Sequence, residues 1–434
     1  MEELFLINEK NEECVPLIDQ SASVAFAKYN VPTDGLSYAS AALQTVFDNS
    51  NGLVVFPKKT YILNTSLTID ASKVKMVVGN GATLKVTGDF PALVVQGNPS
   101  TNTWTADPDS MNAKQKEEDA STIIDGLKIT SSNVENGVAI VLTNTWTPII
   151  RNCYIWNIKD GIEVRGRNRN IIIEGNNIYM TSGYGLLYSQ GSNVHQSNIC
   201  GNHISYNNIS IGFIQTQQTA NVQITGNDIE IASWPTENRT STRCLVIDYP
   251  GVANNLCSEF EIVGNTIQGH EYSDGLIDIK SDSSSYPVEN VSISGNQISN
   301  VNGYAIKLKN CHNVAIGHNT YRRVNNGAVF QLEGTLDCVS VSGEITEKGA
   351  TYVATDSSAI LNYLNFSALG GKNLTKGINI NCATINGLVI NGCNLTGGIT
   401  VTANTVDYVS VTGNISRGTN SIASCSHRVV ENNI

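Results

Sequence analysis

The chain has 434 residues, with 27 Lys and Arg against 38 Asp and Glu, and the resulting net charge of −11 excludes general nucleic-acid binding and docking on anionic lipid. Charged residues make up only 15%; 52 Asn and 37 Gly, with many Ser and Thr, take their place, a composition of short strands and turns that excludes helix-rich classes. With 41% hydrophobic residues the chain buries a core easily, yet its length exceeds one compact domain and points to an elongated repeat protein.

The N-terminus, MEELFLINEKNEE, is acidic and no run of 18 apolar residues occurs, so neither a signal peptide nor membrane insertion is expected, and synthesis in a cytoplasm is. Residues 1–19 read as a leader or attachment remnant. Residues 20–120 read as an N-terminal cap and first irregular coils, the cap covering 20–70. In it, Ala41-Ala42-Leu43-Gln44 suits a short helix, and Gly52-Leu53-Val54-Val55-Phe56-Pro57 and Thr60-Tyr61-Ile62 suit strands. Residues 99–120, polar and aperiodic, read as an excursion before the regular coils, which are expected from about Ile123-Ile124-Asp125-Gly126-Leu127.

From there one phrase recurs: Gly175-Asn176-Asn177-Ile178, Gly201-Asn202-His203-Ile204, Gly226-Asn227-Asp228-Ile229, Gly264-Asn265-Thr266-Ile267 and Gly295-Asn296-Gln297-Ile298, with degenerate copies at Gly317 and Gly343. The glycine intervals are 26, 25, 38, 31, 22 and 26. Alternating stretches such as Val222-Gln223-Ile224-Thr225 precede the phrase, the pattern of a strand with one buried face. Coils of about 25 residues with a fixed Gly-Asn corner predict an all-β fold, a right-handed parallel β-helix. The corner asparagines should then hydrogen-bond up the stack while the isoleucines fill the interior. Residues 121–356 form the main β-helix in this reading. Residues 357–434 carry only six charged side chains, Lys372, Lys376, Asp407, Arg417, Arg428 and Glu431, and read as coils packed against other subunits. The ten cysteines lack CxxC pairs and His at zinc spacing, so they read as buried thiols, with Cys153, Cys311 and Cys338 stacked near corners; no metal and no cofactor are expected.

Tyr29-Asn30-Val31-Pro32-Thr33-Asp34-Gly35, the helix and strands that follow, and the Gly-Asn coils together resemble the pectate-lyase-like superfamily as found in bacteriophage tailspikes. The resemblance implies a homotrimeric spike made in the host cytoplasm. It implies mounting on the virion tail through the N-terminus, against a tail or baseplate protein, and binding and cleavage of a bacterial cell-surface polysaccharide. Only about 25 residues precede the superfamily opening, so an attachment part is either minimal or missing.

Aligning the strands after each corner predicts an outward stripe of Arg165, Tyr188, Gln215, Asp248, Lys280 and Lys309, flanked by Asp278, Asp282 and Glu333. Such a row suits a hydroxyl-rich polymer, though an ordinary solvated face has the same pattern. The two longest intervals add loop residues: Glu230, Trp234, Glu237, Arg239, Arg243 and Tyr249 from one, His270, Tyr272 and Asp274 from the other. Gln217 and Lys307 complete the expected substrate contacts. Glycoside hydrolysis needs two carboxyl groups; Asp248 and Asp278, on consecutive coils two residues apart in register, are the preferred pair, with Asp274, Asp282, Glu230 and Glu237 as competitors. A lyase acting on a uronic-acid polymer, served by Arg165, Arg167, Arg169, Lys280, Lys307 and Lys309, and a non-catalytic glycan-binding adhesin remain the alternatives.

Overall fold

The computed structural model describes residues 26–97, 122–231, 241–270, 272–425 and 427–433. The leader, the excursion at 99–120 and the loop residues Trp234, Glu237 and Arg239 lie outside the described residues. The chain divides into two compact units, Met1–Gly183 and Tyr184–Ile434.

In the first unit, helix Ser40–Asp48 buries Leu43, Val46 and Phe47, and Gln44 ties it to the strand Leu67–Asp70 through both the N–H and the carbonyl of Thr68. Three stacks of parallel strands follow. Gly52–Val55, Val74–Val78, Ile123–Asp125 and Ile149–Arg151 form one. Thr60–Leu63, Thr83–Val86, Lys128–Ser131 and Tyr154–Ile158 form the second. The third is Leu67–Asp70, Pro91–Gln96, Val138–Thr143 and Asp160–Arg165. Coil pairing therefore begins at Gly52, some 70 residues before the expected start near Ile123. These are the irregular first coils expected within 20–120, and strands of four to six residues between uneven turns show no clear period.

The second unit repeats the plan. One stack runs through Arg243–Tyr249, Gly275–Ser281 and the first halves of Tyr304–Gly317 and Ala328–Ser342. In it Leu245, Ile277, Ile306 and Phe330 lie in one register column and are fully buried. Side chains alternate along a strand, so Val246, Asp278, Lys307 and Gln331, between this column and the next inward one of Ile247, Ile279, Leu308 and Leu332, point outward.

At the corners the amide ladder forms as expected. Asn202, Asn227, Asn265 and Asn296 each donate both their backbone N–H and their Nδ2 to Oδ1 of the next rung, at 2.8–3.0 Å. The glycine before each rung has φ between +63° and +67°, a left-handed conformation that costs a side chain about 1 kcal/mol or more. Its surroundings at 201, 226 and 264 hold no atom within 4 Å of an added Cβ, so backbone conformation alone selects glycine there. Asn319 continues the ladder onto Glu344, whose Oε1 accepts its Nδ2 at 3.1 Å. Ile204, Ile229, Ile267 and Ile298 are buried inside.

Cys153, Cys244, Cys257, Cys311, Cys382 and Cys393 are buried, and burial pushes the Cys153 and Cys311 thiols up to about 12. Cys338 departs from the expectation of a stacked apolar corner: it is exposed, because it sits beyond the last inward position before Val339. Among the described residues, no helix is long and apolar enough to cross a membrane.

Candidate active site

On the outward side of the Arg243–Tyr249 stack, two columns of polar residues run side by side. Register places Asp248, Lys280, Lys309 and Glu333 in one, and Asp278, Lys307 and Gln331 in the other. In the first, Lys280 Nζ lies 3.2 Å from Asp248 Oδ2. Gln215 Nε2 donates to Asp248 Oδ1 at 2.8 Å and to Asp282 Oδ2 at 3.4 Å. The residue paired with Asp248 is Ile214, not Gln215; Gln215 stands one residue later with φ +49° and reaches Asp248 from that turn.

In the second column Asp278 is only 8% exposed although it points outward, because Tyr304 covers it. The Tyr304 hydroxyl donates to Asp278 Oδ2 at 2.9 Å and accepts from Arg243 Nε at 3.1 Å. Arg243 Nε is 3.7 Å from Asp278 Oδ2, and Lys307 Nζ is 3.5 Å from Asp278 Oδ1. The Arg243 guanidinium and the Lys307 ammonium both lie over the Tyr304 ring, 5.4 and 5.0 Å from its centroid, where the negative face of the ring attracts cations. Burial, with the Asp278 charge second, pushes the Tyr304 phenol well above its ordinary range. A Cβ at Gly275, the register partner of Tyr304, would overlap the ring. Gly275 thus makes the space in which the phenol lies.

The other expected residues are scattered or turned inward. Tyr188 is fully buried and not part of a surface stripe: it shares the inward parity of Leu186, its ring stacks on Phe213 at 4.2 Å, and its hydroxyl meets Ser197 Oγ at 2.6 Å. Tyr249 is likewise buried, two residues after the inward Ile247, with its hydroxyl donating to the carbonyls of Val252 and Asn255; it offers no face to a sugar. Arg165, in the first unit, closes a bidentate pair with Glu163 at 2.6 and 2.7 Å. Glu230 accepts from Gln268 at 3.2 Å. Gln217 is exposed in a turn whose N–H donates to the carbonyl of Ser192. His270 and Tyr272 lie ring to ring at 4.9 Å, and Asp274 is exposed in the same turn. Tyr304 is the residue that reading the sequence misses. Its signal was the opposition of Gly275 and Tyr304 at equivalent positions of consecutive coils.

The right-handed β-helix family model matches residues 60–229. None of the curated proteins matches the chain. Among solved structures, the chain is similar to the tailspike protein of Escherichia coli bacteriophage HK620 in complex with pentasaccharide, at 10% identity and TM-score 0.58, covering 95% of this chain and 82% of that one. It is also similar to the catalytic unit of a thermostable alpha-1,3-glucanase from Streptomyces thermodiastaticus, at 11% identity and TM-score 0.52, covering 94% of this chain and 69% of that one. A surface adhesin of Streptococcus pneumoniae, PfbA, matches at 13% identity and TM-score 0.52, over 82% of this chain and 92% of that one. These likenesses establish the fold as a right-handed parallel β-helix.

Proposed function

We propose that this protein is a bacteriophage tailspike that binds a bacterial surface polysaccharide and cleaves it by endo-glycoside hydrolysis, with Asp248 and Asp278 as the carboxyl pair. The observation that carries the reading is the register: Val246 pairs with Asp278 and Asp248 with Lys280. The two aspartates thus stand one coil and two residues apart on one outward face. One coil of about 4.8 Å and two residues of about 3.3 Å each separate their backbones by roughly 8 Å, a spacing from which two side chains can bring their carboxyls to the range of about 5–9.5 Å that glycosidase pairs use. Gln215, Lys280 and Lys309 extend polar contacts across successive coils, as an extended sugar chain requires.

Within the same reading the spike is a homotrimer on the virion tail, held to a tail or baseplate protein through its N-terminus. The charge-poor C-terminal coils expose Tyr363, Tyr408 and Ile415, which supports packing between subunits. The likeness in fold to a tailspike bound to pentasaccharide and to a glucanase supports a glycan as the partner.

One observation favours a second reading. The half-buried Tyr304 phenol can pass its proton to Asp278 as it takes the C5 proton of a uronate whose carboxylate Arg243 and Lys307 neutralise, and loss of the C4 glycosidic oxygen completes a β-elimination. The experiment that separates the two is incubation of the protein with capsular and O-antigen polysaccharides. New reducing ends without the ultraviolet absorbance of unsaturated uronates establish hydrolysis. The absorbance establishes elimination, and binding with neither signal leaves an adhesin.

A further inference from the structure

A second cluster lies on a different strand stack. The strands Val288–Ser294, Tyr304–Gly317 and Ala328–Ser342 place Glu289, His312 and Asp337 in one register column, and Cys338 follows Asp337. An imidazole nitrogen of His312, a carboxylate oxygen of Asp337 and Cys338 Sγ all lie within 4.8 Å of one another. Cys338 Sγ donates to Asp337 Oδ1 at 3.4 Å, and His312 Nδ1 is 3.8 Å from Glu289 Oε1.

The corner at which Cys338 stands adds an independent observation. Asn221, Glu259, Asn290 and Asn313 occupy the equivalent position of the preceding coils, all with φ between +53° and +62°. Asparagine tolerates that conformation and cysteine does so poorly. Cys338, at φ +54°, stands like Glu259 where the other three coils carry asparagine, and in its coil the sulfur meets an imidazole and a carboxylate.

We propose that His312, Asp337 and Cys338 bind a zinc-class divalent ion, with Glu289 holding the His312 ring from the preceding coil. Sulfur, nitrogen and oxygen donors together select such an ion over calcium or magnesium, which take oxygen alone. A tetrahedral zinc site holds its donors about 3.5 Å apart, so side-chain rotations of roughly 1 Å close it. The bound ion braces successive coils at one corner. A thiol ligates zinc as the thiolate, so binding releases a proton and weakens at acid pH.

The test is cobalt(II) titration of the full chain. The expected result is one ion per chain, with tetrahedral visible bands and a near-ultraviolet thiolate charge-transfer band that zinc abolishes by displacement. Cys338→Ser should remove the charge-transfer band, and His312→Ala should weaken cobalt binding at least about tenfold. Zinc should raise the melting temperature of the unaltered protein and leave that of Cys338→Ser unchanged. Asp337→Asn keeps the thiol and serves the same test by its loss of affinity should Cys338→Ser not fold. Absence of the band, or its persistence in Cys338→Ser, overturns the site.

Discussion

Tyr304 donates a 2.9 Å hydrogen bond to Asp278, and it reaches that carboxylate across a position, Gly275, that has no side chain. The phenol, the carboxylate and the two flanking cations therefore form one unit, and changes at each member should read out differently.

Tyr304→Phe keeps the ring against Gly275 and under the two cations while deleting the hydroxyl. In the eliminative reading depolymerisation should slow about 10²-fold, the low end of what a positioned proton-transfer group contributes, with the melting temperature shifted by only a few degrees. Initial rates and thermal denaturation on the same preparation check this; an unchanged rate removes the hydroxyl from the chemistry.

Asp278→Asn replaces the carboxylate by a near-isosteric amide between Arg243 and Lys307. Cleavage should fall by about 10³-fold or more while oligosaccharide affinity stays within a few-fold, the pattern of an interaction made in the transition state. Asp248→Asn should behave alike if the two act as a pair. Rates and equilibrium binding measured together decide it, and retained cleavage in Asp278→Asn excludes that residue.

Gly275→Ala and Gly201→Ala separate two reasons for glycine. At 275 a methyl meets the Tyr304 ring, so overpacking should cost about 1–3 kcal/mol and activity should fall with it. At 201 the space is open but φ is +63°, so the cost should be about 1–2 kcal/mol of backbone strain, with cleavage intact. Denaturant melts and rates on both variants test the contrast.

Glu344 ends the run of ladder asparagines with a carboxyl group, fully buried. Burial raises it from 4.5 to about 7, only partly offset by hydrogen bonds from Asn319. A raised carboxyl favours the protonated folded state. Its contribution is fully present below the unfolded value near 4.5, is lost as pH rises to about 7, and changes little above that. The total is on the order of 3 kcal/mol. Glu344→Gln, a neutral amide like the rungs before it, should be the more stable protein above pH 7 and should flatten the stability profile between these limits. Denaturation midpoints at several pH values check the sign; a slope unchanged in the variant excludes Glu344 as its source.

The corner phrase made the architecture legible because Gly201, Gly226, Gly264 and Gly295 answer to local backbone conformation, and their asparagines to a neighbour at a fixed repeat. The register of Asp248 and Asp278 followed from the same repeat. Tyr188 and Tyr249 were misplaced because an aromatic residue two positions after an inward one, Leu186 or Ile247, is itself inward, and a polar hydroxyl obscured that parity. Each hydroxyl has a partner in the folded chain, Ser197 Oγ or the Val252 and Asn255 carbonyls, which composition cannot reveal. Tyr304 and the His312–Asp337–Cys338 cluster escaped for another reason. Their partners stand about one coil away in the chain, and patterns sought at short spacing do not see contacts made between layers.

The asparagine ladder also acts as a check on winding. A rung donates twice to the rung beyond it, so a coil wound one residue out of step would strand several amides in an apolar interior, each at a cost of about 1–3 kcal/mol. Errors of winding are therefore expensive, whereas the lengths of the connecting loops are free, as the spacings of 38 and 23 residues between successive ladder asparagines attest. Such a chain can change by gaining or losing whole layers and by exchanging loops between fixed corners. Single-residue insertions between a ladder asparagine and its strand are the costly changes; the one extra residue at Gly334–Thr335 lies at a different corner.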